Sequence, residues 1–220
     1  LNSPANPTGG AVPKEEIDRL VAGLAEHPHV AVLSDEIYSR IAYDGRTHVS
    51  LLAYPELAER LILLDGWSKT YAMTGWRMGY AVWPKALVEG ATRLAVNCHS
   101  CVNAAAQYAG IAALEGPQEA VDSMVGAFDE RRRVIVDGLN AIAGFRCRMP
   151  GGAFYAFPNL EETGLDARSL QKRLLEEAGV ATLAGTRFGH LGEGFIRFSY
   201  ANSVENIENA LERIASLLAD

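Results

Sequence analysis

Apolar residues recur along this chain with two different periods, and the switches between them mark out its elements. From Pro13 to Glu26, Ile17, Leu20, Val21 and Leu24 fall three and four apart, which predicts an amphipathic helix. Val30 to Leu33 and Leu61 to Leu64 are short apolar runs without polar alternation. Such runs predict strands buried on both faces, as in parallel sheets covered by helices. Met78 to Trp83 is a third strand candidate, and Lys85 to about Ala143 reads as helical, closing in a long stretch through Asp129, Arg131 and Ile142. The run Arg131-Arg132-Arg133 on that stretch reads as a solvated face. Beyond Gly144, Phe145 to Met149 and Ala153 to Phe157 read as strands around a Gly151-Gly152 turn. A helix near Ala167 to Gly179, strands at Val180 to Leu183 and Phe195 to Tyr200, and a last helix with Ser203 as its N-cap complete the chain. Pro4, Pro7, Gly9 and Gly10 put the opening segment in a loop. The order is an α/β pattern, with a domain boundary inside the long helix near residue 128, so that 1–128 and 129–220 form two domains.

Composition narrows the class. At 220 residues the chain is long enough to bury about 70% of its unfolded surface, in one large or two modest cores. A net charge of −7 argues against nucleic acid as a partner, because phosphate binding requires a basic face. No apolar run approaches the roughly 20 residues that cross a bilayer, so no membrane partner is expected. Three cysteines are an odd number for a disulfide framework and fit a reducing, cytoplasmic setting. Cys98 and Cys101 form a C-x-x-C, read here as small buried residues near a helix start rather than a redox or metal site; no metal is expected.

Four separated clusters hold the residues with chemistry. Asn6-Pro7-Thr8-Gly9 is a turn sequence. Ser34-Asp35-Glu36-Ile37-Tyr38 follows the first apolar run, where an acidic residue can cap a helix, ligate a metal or serve catalysis. The stretch Gly66 to Gly79 places Ser68 and Lys69 among small and apolar residues just past the second run, with Arg77 eight positions after Lys69. Partial desolvation there frees the lysine amine as a nucleophile for imine formation. Lastly, Arg197 is centred in an apolar strand, where a guanidinium is costly to bury unpaired and calls for an anion: a structural salt bridge or a substrate carboxylate. Each cluster ends a predicted strand or occupies a loop, and ligand sites in open α/β sheets gather at the carboxyl ends of strands, so the four are candidates to converge.

Together the clusters resemble the fold-type I aminotransferases of the aspartate aminotransferase family (class I/II), which depend on pyridoxal 5'-phosphate (PLP). An N-P-x-G asparagine, a D-x-x-Y pair, an S-K loop with a later arginine and a final R-F-S stand here in the family's order, as Asn6, Asp35 and Tyr38, Ser68, Lys69 and Arg77, and Arg197. The phrases S-D-E-I-Y and Y-A-M-T-G-W-R-M-G-Y are similar to the branch holding many bacterial aspartate aminotransferases. The resemblance implies an α/β fold: the C-terminal part of a PLP-binding large domain, with a mostly parallel sheet and helices, over 1–128, and a smaller α+β C-terminal domain over 129–220. It implies that Lys69 carries the cofactor and shuttles the substrate proton, and that Asp35 faces the pyridine nitrogen. Tyr38 and Asn6 bond the ring's phenolic oxygen, and Ser68 and Arg77 hold the phosphate. Arg197, with Asn6 beside it, grips the substrate α-carboxylate. Gly151-Gly152-Ala153-Phe154 resembles a family segment on the substrate side. Amino acid and 2-oxo acid substrates, ping-pong transamination and a homodimer follow from the same resemblance.

Members of that family carry a long portion before the N-P-x-G segment, with the first strands of the large domain, a glycine-containing phosphate loop and an aromatic residue stacked on the cofactor. Its absence here leads us to expect a fragment, or the ordered part, of a longer enzyme. Three alternatives share the sequence features. One is another fold-type I PLP enzyme, such as a C–S lyase, decarboxylase or cyclopropane-forming synthase. Another is the aminotransferase-like effector domain of a transcription regulator, and the third is a catalytically dead homologue.

Overall fold

A computed structural model describes residues 1–219. The chain divides into two compact units, one of Leu1–Pro4 with Ala11–Ser123 and one of Ala5–Gly10 with Met124–Asp220. The division falls inside a long helix, and six residues near the start belong with the second unit rather than with their chain neighbours.

The first unit holds helix α1 (Lys14–Ala25), strands β1 (Val32–Asp35), β2 (Leu61–Gly66) and β3 (Gly79–Val82), and helices α2 (Val88–His99) and α3 (Ala104–Glu115). β1 pairs with β2 in parallel, Val32 opposite Leu61 through Asp35 opposite Leu64, and β3 runs antiparallel on the far side of β2. The predicted α1 packs Ile17 and Val21 against Leu51, Leu57 and Leu61, with Leu24 and Val32 at the margin. Arg60 closes the C-terminus of α1, its guanidinium donating to the carbonyls of Leu24 (2.8 Å) and His27 (2.6 Å) beside the last turn. Burial of the strands on both faces is not what the structure shows. Leu33 is 49% exposed, and Tyr80 and Val82 on β3 are also exposed. Within this unit α1 covers only the Leu61 side of the strands, so the apolar run that predicted burial faces outward at Leu33. The apolar positions of α2 and α3 are likewise open, with Leu94 65% and Ile111 50% exposed. Cys98 and Cys101 depart from expectation in the same way: both are free and exposed, Cys98 in the last turn of α2 rather than near a helix start.

The second unit takes most of α4 (Glu119–Ala141), then β4 (Tyr155–Ala156), α5 (Ala167–Glu176), β5 (Leu183–Ala184), β6 (Ile196–Ser199) and α6 (Val204–Ala219). β6 is central, antiparallel to β4 and β5. The strand expected over Phe145 to Met149 shrinks to a single bridge, Arg146 to Asn159, because the Asn140 side chain takes both the N–H and the carbonyl of Cys147. Ser203 caps α6 as predicted, accepting from the N–H of Asn206 at 3.2 Å. The arginine run on α4 overturns its reading as a solvated face. Arg133 is exposed and pairs with Asp129, whereas Arg132 is 1% exposed and lies in line with Phe128, Ile135, Val136 and Leu139 on the buried stripe. Position, three and four residues from buried apolar neighbours, decides its burial over residue type.

Candidate active site

Because β1 and β2 are parallel, both end at the same edge of the sheet. Asp35 is the last residue of β1, and Lys69 stands three residues beyond the end of β2. Gly66 closes β2 where only glycine fits: a Cβ there would lie 2.8 Å from Gly79 Cα and 2.9 Å from the Met78 carbonyl. Asp35 is fixed by its backbone, whose N–H donates to Leu1 (2.8 Å) and whose carbonyl accepts from the Asn2 side chain (3.0 Å). Its Oδ1 accepts from the N–H of Ile37 at 3.2 Å, starting the turn that carries Tyr38 inward. Tyr38 is buried, and Lys69 Nζ lies 5.9 Å from the centre of its ring.

The loop after β2 is held from within. Tyr71 and Met73 donate backbone N–H groups to the Trp67 carbonyl, and the Trp67 indole donates to Gly110 on α3 at 3.0 Å. Ser68 and Lys69 are half-buried on this loop. Arg77 is exposed, donates to the Thr74 carbonyl at 2.9 Å, and has left-handed backbone (φ 56°), as does Ala72 (φ 52°). Non-glycine residues in that region cost about 1 kcal/mol or more and persist where the surroundings impose them, often at functional sites.

Behind Asp35 lies a polar cluster that sequence reasoning passed over. Glu36 points the other way along the strand, into the core. It accepts from Ser34 Oγ (2.9 Å), from the N–H of Leu51 (3.0 Å) and from His48 Nε2 (2.8 Å). Burial, the largest single influence, pushes its carboxyl up, but the bonds from His48, Leu51, Ser50 and Ser34 together outweigh it and hold the group below its ordinary value. Asp65 next to Gly66 is raised by burial. The signal for Glu36 was available: the period-2 alternation that sends Asp35 to one face of β1 sends Glu36 to the other.

The second unit presents a separate constellation. Arg197 on β6 donates from Nη1 to Asn6 Oδ1 at 2.7 Å. Its guanidinium lies 4.6 Å from the centre of the Tyr155 ring and 5.0 Å from that of Phe188. These partners are neutral, and no carboxylate lies within ion-pair distance of Arg197 among the described residues, so the structural salt bridge is not the answer found. The Asn6 turn is held by Gly151 and Gly152, whose N–H groups both donate to the Gly9 carbonyl at 2.8 and 3.0 Å. The structure thus brings Asp35, Tyr38, Ser68, Lys69 and Arg77 into the first unit and Asn6 and Arg197 into the second. Among the described residues there is no group of three or more His, Cys, Asp or Glu that could hold a metal, and no helix long and apolar enough to cross a membrane.

Lys69 and Asp35 thus stand at the carboxyl edge of two parallel strands in the first unit, and Arg197 lies on the central antiparallel strand of the second. The model for the aminotransferase class I and II family matches residues 1–214, and the chain belongs to that family. It is 44% identical over 220 residues to an aspartate aminotransferase from Geobacillus stearothermophilus, covering 97% of this chain and 55% of that protein. A putative aminotransferase from Bacillus subtilis, YugH, is 40% identical over 98% of this chain and 55% of its own length. Among solved structures, the aromatic aminotransferase from Pyrococcus horikoshii superposes with a TM-score of 0.95 at 37% identity, over 99% of this chain and 58% of that one. The aspartate aminotransferase from Rhizobium meliloti gives 0.94 at 38%, over 100% and 57%. The chain therefore spans little more than half the length of the relatives it matches, and each of these relatives is named as an aminotransferase.

Proposed function

We propose that this chain serves a PLP-dependent aminotransferase, moving an amino group between an L-amino acid and a 2-oxo acid by a ping-pong route, as a cytoplasmic homodimer. The carrying observation is the edge of the first unit's sheet, where Lys69 lies over the buried Tyr38 and Asp35 ends the neighbouring parallel strand. The donor set fits the cofactor piece by piece. A carboxylate suits a protonated ring nitrogen, a phenol suits a phenolate oxygen, and an amine suits an aldehyde. A hydroxyl with a multi-donor guanidinium suits a phosphate. PLP, when bound, supplies a carbonyl for the lysine to engage and a ring that accepts electrons from the substrate's Cα.

The residues of this chain then have distinct tasks. Lys69 would hold the cofactor through Nζ, and the same amine would carry the proton of the substrate's Cα. Asp35, fixed by the Leu1 carbonyl and the Asn2 side chain, would keep a proton on the ring nitrogen. Tyr38 and Asn6 donate toward the phenolic oxygen, and Ser68 and Arg77 hold the phosphate. Arg197, already oriented by Asn6 and by two aromatic rings, pairs with the α-carboxylate and so aligns the Cα–H bond.

The test is borohydride reduction of the longest available form after addition of PLP, with the labelled lysine mapped by mass spectrometry. A pyridoxyl group on Lys69, and equal amounts of 2-oxo acid and new amino acid from a substrate pair, are the expected results. Label on another lysine, or pyruvate and ammonia in place of amino transfer, would overturn the reading.

A further inference from the structure

We infer that Arg132, buried in the second unit, is a positioning residue for Arg197, acting through the turn that carries Asn6. The inference rests on the reading of Arg197 as the partner of the substrate carboxylate. Arg132 is 1% exposed on α4, pairs with Asp129 one turn earlier, and donates from Nη1 to the Pro150 carbonyl at 2.7 Å. The next two residues, Gly151 and Gly152, both donate their N–H groups to the carbonyl of Gly9. Gly9 in turn donates to the Ala5 carbonyl at 2.9 Å, and Ala5 to that of Gly10 at 2.9 Å, which closes a small ring of backbone around Asn6. Asn6 then accepts from Arg197.

Each link is tight. Gly9 has φ +66°, and a Cβ on it would lie 2.5 Å from Pro150 Cβ and 2.7 Å from the Tyr155 carbonyl, so the turn has one seat. Tyr155 is also a ring against which the Arg197 guanidinium lies. A hydrophobic residue could fill the volume of Arg132 at lower desolvation cost, because a buried charge is a poor route to stability. What a guanidinium supplies is direction: a fixed fork bridging a helix carboxylate to the Pro150 carbonyl that leads into the glycine turn. The rigidity passes on to the amide that sets the angle of Arg197.

A positioning role of this kind predicts weaker binding of every carboxylate substrate and an intact chemical step. In the full-length holoenzyme, Arg132→Met should raise KM for both the amino donor and the 2-oxo acceptor about tenfold, with kcat within about threefold and lysine-bound PLP unchanged. Arg132→Lys, which can still reach Pro150, should recover most of that loss. Asp129→Asn frees one side of the fork at a half-exposed position and should raise KM about threefold, so it carries the test if Arg132→Met does not fold. Arg197→Lys is the reference. If it leaves KM unmoved, the carboxylate reading itself fails. If it raises KM while folded Arg132→Met, or Asp129→Asn in its place, leaves KM at the wild-type value, the positioning role is overturned. Equal falls in kcat, PLP content and melting temperature in both Arg132 variants would also overturn it, as the mark of a purely structural residue.

Discussion

Replacing Glu36 by alanine should destabilise the first unit far more than the lost volume accounts for. The carboxylate is 4% exposed and receives bonds from Ser34, from the N–H of Leu51 and from His48. Alanine strands all three donors around a cavity. A stranded buried donor costs about 1–3 kcal/mol, and three are stranded here, so an overall loss of about 4 kcal/mol is expected. In a protein of this size that is a drop in melting temperature of about 10 °C. Glutamine keeps the volume and an oxygen for the Ser34 and Leu51 bonds, and should lose only about 1 kcal/mol. The pH dependence separates charge from shape. Because the folded-state carboxyl is held below its ordinary value, its contribution is present above the unfolded value and disappears as pH falls through the folded one. The gap between wild type and Glu36→Gln should therefore close below about pH 4. Denaturant unfolding followed by circular dichroism at neutral and acid pH measures both quantities. A loss under about 1 kcal/mol for Glu36→Ala, or a glutamine variant as damaged as the alanine one, would refute the account.

Three further outcomes are expected. Gly66→Ala should cost about 1–3 kcal/mol by forcing β2 from β3 at the Gly66–Gly79 pair, and should lower PLP loading; absorbance of the bound cofactor and thermal melting report both. Ser203→Ala should cost about 1 kcal/mol through the lost α6 cap, measured by chemical denaturation with an unchanged m-value. Cys147, buried and with its thiol pushed up to about 12 by desolvation, should resist a thiol reagent at pH 8 until denaturant is added, and early labelling at that residue would contradict its placement.

The elements with a clear period were legible. The amphipathic α1, the apolar runs of β1 and β2 and the Ser203 cap all announce themselves locally. The positions of Asp35 at the end of β1 and Lys69 just past β2 follow from the same runs. What failed was set by partners distant in sequence. Arg132 reads as solvent-facing in a run of three arginines, because burial depends on which stripe of α4 meets the sheet and on a carbonyl 18 residues away. Gly151 and Gly152 look like a turn and nothing more, since their acceptor is Gly9, at the other end of the chain. Leu33 and the exposed apolar positions of α2 and α3 read as core because their composition is that of core, yet they stand open among the described residues.

The membership of Ala5–Gly10 in the second unit bears on how this protein can be taken apart. A contiguous piece cut at the α4 division, 124–220, would leave behind the segment that accepts from Gly151 and Gly152 and that meets Arg197 through Asn6. Such a piece would be missing one of its own internal strips, and supplying that strip as a short peptide in trans is the natural complementation partner for it. The two units of this chain are therefore not modules in the sense that allows free exchange between relatives. A swapped 124–220 piece must bring along, or be matched to, the six residues Ala5–Gly10.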